Sequence, residues 1–337
     1  MADKMHGFGL GVISENAKGA ILDVFYPTPL GDVTGPLSDA VSGVCGRLDR
    51  SDLKTLANNA RSAGDEALAA LSDRLSESPA SVVASSLAAN VAPVSVEDAY
   101  LKLHMLSHRL VKPHGTDLTG VFGLLPNVAW TDEGPIDLSE LAERQLSARL
   151  KGKVLEVASV DKFPKMTNYV VPEGVRIAHS ARVRLGAYLG AGTTVMHEGF
   201  INFNAGTAGP GMVEGRISAG VMVGKGSDLG GGCSTMGTLS GGGNMIISVG
   251  EECLIGANAG LGIPLGDRCT IEAGLFITAG TKVTVLDDAK QAVETAAARY
   301  LAGRSDLLFR RNSQSGSVEC LTNKTAIELN ESLHAHN

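Results

Sequence analysis

From residue 177 to residue 283 the chain places an aliphatic or small residue at every sixth position, in two runs. One reads Ile177, Val183, Leu189, Val195 and Ile201. The other reads Ile217, Val223 and Leu229, and continues through Thr235, Gly241, Ile247, Cys253, Ala259, Leu265, Ile271, Ile277 and Val283. Thr235 and Gly241 are its weak members. Glycine keeps a second slot three residues away, as at Gly186, Gly192, Gly220, Gly226, Gly256 and Gly274. A period of six is neither the 3.6 of a helix nor the 2 of a lone strand. It suits a coil with flat sides. Each side is a short strand with its aliphatic residue pointing inward, and each corner is a tight turn that small residues permit. Three hexads close a triangular turn, so residues eighteen apart stack and backbone groups pair from coil to coil. The pattern predicts a left-handed parallel β-helix over residues 171–285.

The same periodicity disposes of two other readings of the glycine-rich stretch. "GVMVGKGS" is one residue short of GxxxxGK[ST], and its glycines fall in the hexad slots, so it is not read as a phosphate loop. A flexible linker does not hold aliphatic residues in phase.

The period is disturbed twice. Ile201 and Ile217 are sixteen residues apart, two short of a full turn, and Glu214 stands where glycine is usual. In "MGTLSGGGN" (236–244) the phase is kept, but the inward positions are poor, which predicts a loop bulging from the wall. Departures from a regular scaffold are where chemistry is expected.

Outside the solenoid the pattern changes. Residues 1–115 read as an α/β domain, with a strand over 20–27 and amphipathic helices over 51–75 and 95–110. Ser95 and Asp98 have capping-box spacing. Residues 116–170 read as a connecting segment with strands in "GLLPNVAWT" and "KVLEVASVD". Residues 286–337 read as a C-terminal segment, with a helix over 287–303 and a returning strand over 307–321.

Composition sharpens this picture. Aromatic residues make up only 4% of the chain, against 44% hydrophobic residues and 42 glycines, so the core must be built from small aliphatics. A net charge of −7 with no basic block argues against nucleic acid as a partner. No apolar stretch is long enough to span a membrane, and the start lacks a signal-peptide pattern. Five cysteines without CxxC pairing suggest reduced thiols in the cytoplasm.

His104 and His108 are four apart on a predicted helix, but Met105 stands where a zinc protease needs glutamate, so they read as ordinary helix histidines. His179 and His197, eighteen apart, should stack on adjacent coils. Two histidines fall short of the three that hold zinc in some solenoids.

"VMHEGFINFNAGTAGPGMVEGRISAGVMVG", "DLGGGCSTMGTLSGGG", "LIGANAGLGIPLGD" and "LLFRRNS" resemble tetrahydrodipicolinate N-succinyltransferase in its longer, second type. "YLKLHMLSHRLVKPHG" and "VDKFPKMTNYVVP" fit the same family upstream, so the resemblance covers residues 95–337 and is specific over 195–282. It implies transfer of succinyl from succinyl-CoA to L-2-amino-6-oxopimelate, the hydrated open form of tetrahydrodipicolinate, in lysine and diaminopimelate synthesis. It also implies a homotrimer with active sites between neighbouring subunits.

The resemblance further implies residue roles. Glu214 in "MVEGR" matches the family's catalytic glutamate, a nucleophile forming an acyl anhydride; chemistry alone leaves a general-base role open. Succinyl-CoA would lie against Arg216, Gly231, Ser234, Ala257, Glu272, Ala273 and Gly280. Arg310, Arg311, Asn312 and Ser313 would bind it from the C-terminal segment, where adjacent arginines suit phosphates. The acceptor's two carboxylates call for cations, with Arg184 and Arg216 as candidates. Glu198 in "MHEGF" matches one ligand of a Mg²⁺ on the threefold axis, while Ala181 stands where the family has its second, an aspartate.

Overall fold

The computed structural model describes residues 4–237 and 245–322. The chain forms two compact units. One takes the chain up to Val170 except Lys112–His114 and Lys165–Thr167; the other takes those two short pieces and the chain from Val171 onward.

The first unit is built on an antiparallel sheet around the strand Met5–Glu15. Val82–Leu87 lies along one side of it, with Gly46–Leu48 beyond, while Ile21–Phe25 and Leu30–Val33 share the other. Helices Arg50–Ser62 and Glu66–Ser76 cover the sheet, and Leu53, Leu56 and Leu68 pack with Phe8 and Leu10. The single helix expected over 51–75 is therefore two. Gly64 has φ +85° in the left-handed region, which ends the first helix, and Asp65 caps the second by accepting the Leu68 N–H at 2.8 Å. Helix Val96–Ser107 starts where expected, with Ser95 Oγ accepting the Asp98 N–H at 3.2 Å. Only half of the capping box forms, because Asp98 turns its carboxylate to the Val94 N–H at 3.3 Å. A second, three-stranded sheet has Val128–Thr131 between Gly134–Asp137 and Val157–Asp161, backed by helix Leu138–Leu150.

Helix Val96–Ser107 carries a polar cluster into this unit's interior. The Tyr26 N–H donates to His104 Nε2 at 3.2 Å, and His104 Nδ1–H donates to the Tyr100 carbonyl at 2.8 Å. Both ring nitrogens are thus satisfied in the neutral tautomer, and burial drives the pKa of His104 down to about 3. Beside it, the Tyr169 hydroxyl donates to Asp23 Oδ2 at 2.5 Å, and burial raises the Asp23 carboxyl above its ordinary value.

The second unit is the predicted left-handed parallel β-helix. Its first face stacks Arg176–Ile177, Thr193–Val195, Gly211–Val213, Asp228–Leu229, Leu254–Ile255 and Thr270–Ile271. The second stacks Phe200–Ile201, Arg216–Ile217, Ser234–Thr235, Gly260–Gly262 and Phe276–Thr278. The third stacks Tyr188–Leu189, Gly206–Thr207, Met222–Val223 and Ser248–Val249. The inward side chains Val195, Val213, Ile217, Ile255 and Ile271 are all fully buried, so each coil contributes one apolar layer to a narrow core.

Two expectations about the repeat and its end are corrected. After residue 244 the strand centres are Val249, Ile255 and Leu261, two positions later than the continued hexad places them. Ile247, Cys253 and Ala259 are buried all the same. They fill a second inward position two residues before the strand centre, and because both positions are apolar the sequence does not separate them. The loop expected at 236–244 lies, from 238 on and with Gly241, outside the described residues. Val223 pairs with Val249, so that coil is twenty-six residues long.

The helix expected over 287–303 is not formed. Lys282–Leu286 and Ala292–Ala297 make an antiparallel hairpin turning at Asp287–Gln291, followed by a short 3-10 turn at Ala298–Leu301. Lys282–Leu286 offers a strand edge on which Glu294 and Thr295 find partners, and this pairing outweighs the helical preference of an alanine-rich stretch. Leu307–Arg311 and Val318–Thr322 form a second hairpin, whose first strand runs parallel to Thr270–Ile271 and ends the first face.

Candidate active site

Each coil turns a corner between the first and second faces. Six residues separate the strand centres across most of these corners, as from Val195 to Ile201, Leu229 to Thr235 and Ile271 to Ile277. Only four separate Val213 from Ile217. The two residues missing from the period are therefore missing from the corner that contains Glu214.

Backbone bonds stack these corners into one column. The Gly232 N–H donates to the Glu214 carbonyl at 3.3 Å, Asn258 N–H to the Gly231 carbonyl at 2.9 Å, and Gly274 N–H to the Ala257 carbonyl at 2.8 Å. At the end of the column the Arg311 N–H donates to Glu272 Oε2 at 2.6 Å. Glu214, Gly231, Ala257, Glu272, Ala273 and Arg311, chosen from the sequence for chemistry and donor binding, thus lie along one edge of the solenoid. Glu214 is half-buried, and its carboxylate rests over the next coil. A Cβ at position 231 would stand 3.4 Å from Glu214 Oε2, so glycine there leaves the carboxylate its room. Behind this corner, the Cys233 thiol is pushed up to about 12 by burial and by the Glu214 charge, which keeps it protonated and a poor nucleophile at neutral pH.

Arg216 and Ser234 pair across the second face, immediately beside the column. Phe200, Gly260 and Phe276 continue that row, and the Phe276 ring lies against Gly260, where a Cβ would come within 2.0 Å of it. Arg184 reaches the same face: its guanidinium sits 5.9 Å from the Phe200 ring centre and donates to Asn202 Oδ1 at 3.1 Å. Gly280 follows the far end of Phe276–Thr278 and is not part of the column.

The arginine hairpin is more tightly tied than its sequence suggests. Arg310 places Nε and Nη2 on Glu319 Oε2 at 2.9 and 2.8 Å. The Asn312 amide donates to Glu319 Oε1 at 2.8 Å, and Asn312 Oδ1 accepts the N–H groups of Gln314 and Ser315, both at 3.0 Å. Arg311 is exposed, with Nη1 on the Gly316 carbonyl at 3.2 Å, and Ser313 is exposed in the turn. Nothing in the sequence singles out Glu319, because 307–321 reads as one strand. Split into two strands, the hairpin register sets Glu319 opposite Arg310.

At the other end of the column, the rings of His179 and His197 meet edge to face at 5.2 Å, as their spacing predicts. Glu198 Oε2 is engaged by Arg182 at 2.7 Å, and Ala181 offers no ligand. Among the described residues no group of three or more histidine, cysteine, aspartate or glutamate side chains could hold a metal. The donors within one chain do not fit Mg²⁺, which takes several oxygen ligands. No helix among the described residues is long and apolar enough to cross a membrane.

Comparison with known proteins agrees with this geometry. Residues 125–165 match the family model described as the middle part of tetrahydrodipicolinate N-succinyltransferase, and residues 246–279 match that of the hexapeptide repeat of succinyl-transferase. The 2,3,4,5-tetrahydropyridine-2,6-dicarboxylate N-succinyltransferases of Pseudomonas aeruginosa and Pseudomonas paraeruginosa are each 63% identical, over 100% of both chains. That of Vibrio cholerae is 57% identical over 98% of both. A crystal structure from Campylobacter jejuni, described as a 2,3,4,5-tetrahydropyridine-2-carboxylate N-succinyltransferase, superposes with a TM-score of 0.86 at 33% identity, covering 97% of this chain and 94% of that one. The shortened corner, the solenoid that carries it and these full-length likenesses agree: the chain belongs to the 2,3,4,5-tetrahydropyridine-2,6-dicarboxylate N-succinyltransferase family.

Proposed function

We propose that the protein transfers the succinyl group of succinyl-CoA to the amine of L-2-amino-6-oxopimelate, the hydrated open form of tetrahydrodipicolinate, as a step of lysine and diaminopimelate synthesis. The observation that carries this reading is a 63% identity, sustained over the whole chain, to N-succinyltransferases acting on that ring compound. The column gives the activity a physical form. The pantetheine arm of CoA runs along the corner past Ala273, Ala257 and Gly231, where small residues leave it close to the backbone, and the thioester comes to rest near Glu214. Arg310 to Ser313 meet the phosphates, and Arg184 and Arg216 meet the acceptor's carboxylates.

The chemistry needs an unprotonated amine. The amine nitrogen attacks the thioester carbonyl, the C–N bond forms, and the oxyanion collapses to expel CoA as thiolate. Glu214 serves this step in one of two ways. As a general base it removes the proton from the substrate ammonium, freeing the amine lone pair for attack. As a nucleophile it accepts the succinyl group as an anhydride before the amine does, which predicts ping-pong kinetics. The active enzyme is a homotrimer with sites between neighbouring subunits, in the cytoplasm, where its five unpaired cysteines stay reduced.

The test is a thiol-release assay with L-2-aminopimelate as acceptor analogue and either succinyl-CoA or acetyl-CoA as donor. Release from succinyl-CoA alone, lost in Glu214→Gln, is the expected result. Release from neither donor would sink the assignment, and activity kept in the variant would remove Glu214 from the chemistry.

A further inference from the structure

The bonds of the C-terminal hairpin assign a role to a residue that the sequence reading passed over. Glu319 is 7% exposed, although a carboxylate in a short surface hairpin has every reason to face water. Its oxygens are divided between two residues of "RRNS": Oε2 takes Arg310 Nε and Nη2, and Oε1 takes the Asn312 amide. These charge-assisted bonds hold its carboxyl below the ordinary glutamate value, so it stays ionised through the neutral range.

Asn312 in turn organises the loop. Its Oδ1 gathers the Gln314 and Ser315 N–H groups, its own N–H donates to the Ser317 carbonyl at 2.8 Å, and its carbonyl accepts the Gly316 N–H at 2.8 Å. The amide of Asn312 therefore cannot flip to suit a new partner without giving up both Oδ1 bonds. Arg311, between the two residues that Glu319 holds, is exposed, with Nη1 on the Gly316 carbonyl.

We propose that Glu319 is a positioning residue for donor binding, which fixes Arg310 and the turn 312–317 so that the hairpin presents a preformed site to the phosphates of the CoA nucleotide. This rests on the reading above that the hairpin binds the donor. Glu319 touches no substrate. Its effect is to order two groups before the ligand arrives, which lowers the cost of binding without altering the acyl-transfer step.

The test compares two donors, succinyl-CoA and S-succinylpantetheine, which carries the same thioester without the nucleotide. In Glu319→Gln the side-chain shape is kept, but whichever way the new amide turns, its NH2 meets a donor, either Arg310 or Asn312. The expected result is a rise of about tenfold in KM for succinyl-CoA, the size of one charge-assisted bond made useless. The kcat, and both constants for S-succinylpantetheine, should stay near the parent's, a split that general damage to the fold would not give. Arg311→Ala separates the two layers of the reading. If it raises KM for succinyl-CoA while Glu319→Gln leaves it unchanged or lowers it, the hairpin binds the nucleotide and Glu319 has no positioning role. If neither variant changes the KM for succinyl-CoA, the hairpin does not bind the nucleotide, and both statements fall. Should Glu319→Gln not fold, Glu319→Asp keeps the charge but draws the carboxylate back by one methylene, so that it cannot hold both Arg310 and Asn312. The same donor-selective rise is then expected, and its absence overturns the proposal.

Discussion

The two units concentrate their polar side chains in opposite ways. In the first unit, His104, Tyr169 and Asp23 are packed away from water and their hydrogen bonds are spent on one another and on nearby backbone. In the second, Glu214 stands half-buried at a corner held by backbone ladder bonds, with a glycine of the next coil beneath its carboxylate. Burial fixes protonation: it keeps His104 neutral and Asp23 reluctant to ionise. A corner held by its main chain leaves its side chain available for chemistry. A histidine in a helix and a glutamate in a glycine-rich loop thus exchange the roles that residue type alone would give them.

The largest effect should come from Glu214→Gln. Its kcat is expected to fall about 10²–10⁴-fold if the carboxylate is the general base. Stability should move by less than about 0.5 kcal/mol, since the ladder bonds are untouched. Steady-state assay and chemical denaturation check the two halves separately.

Acid should strike the other region first. The folded chain refuses a proton at His104 down to about 3, whereas the unfolded chain takes one near 6.5. Stability from this group is therefore present above 6.5 and lost as pH falls below it, by up to about 1.4 kcal/mol per unit. Urea titrations between pH 4 and 7, with the ring signals of His104 followed by NMR, would expose a ring that titrates normally if the cluster is looser than described.

Tyr169→Phe takes one donor from the buried Asp23 carboxyl and leaves it those of Ser14. It should destabilise the protein by about 1–3 kcal/mol while leaving kcat near the parent's. A loss of kcat at unchanged stability would erase the contrast between the regions.

The smallest effect is expected at Gly231→Val. Position 231 is not in the left-handed region, so the backbone accepts the change, but the added methyl groups reach the Glu214 carboxylate. A fall of about tenfold in kcat/KM is expected, the cost of a carboxylate moved slightly out of line, with little shift in melting temperature.

The solenoid was legible because its repeat is written in residue type. Each inward aliphatic recurs at the spacing of one side, so Ile177 to Leu229 could be placed in sequence and strand. Legibility failed where two readings share a composition. Ile247 and Val249 are both apolar and inward, so a two-residue slip leaves no mark. Ala292–Ala297 prefers a helix locally and becomes a strand because Lys282–Leu286 presents an edge, a partner that the sequence does not mark. In the candidate site, the shortened corner at Glu214 was visible as a broken count. Glu319 was not, because its meaning depends on a hairpin register fixed by the turn at 312–317.

If the donor lies along the column as proposed, the stacked corners also make a measuring device. Neighbouring strands lie about 4.8 Å apart. Glu214, Gly231, Ala257 and Ala273 stand on successive coils, so the last is about 14 Å from the first by that spacing, with Arg311 one step further. A donor gripped by its phosphates at one end can deliver its thioester to Glu214 only if its arm spans those steps. Chain length would then be read in whole coils. Inserting or deleting one coil between Glu214 and the hairpin would retune the enzyme for carriers longer or shorter by about 5 Å, leaving every side chain in the corner unchanged.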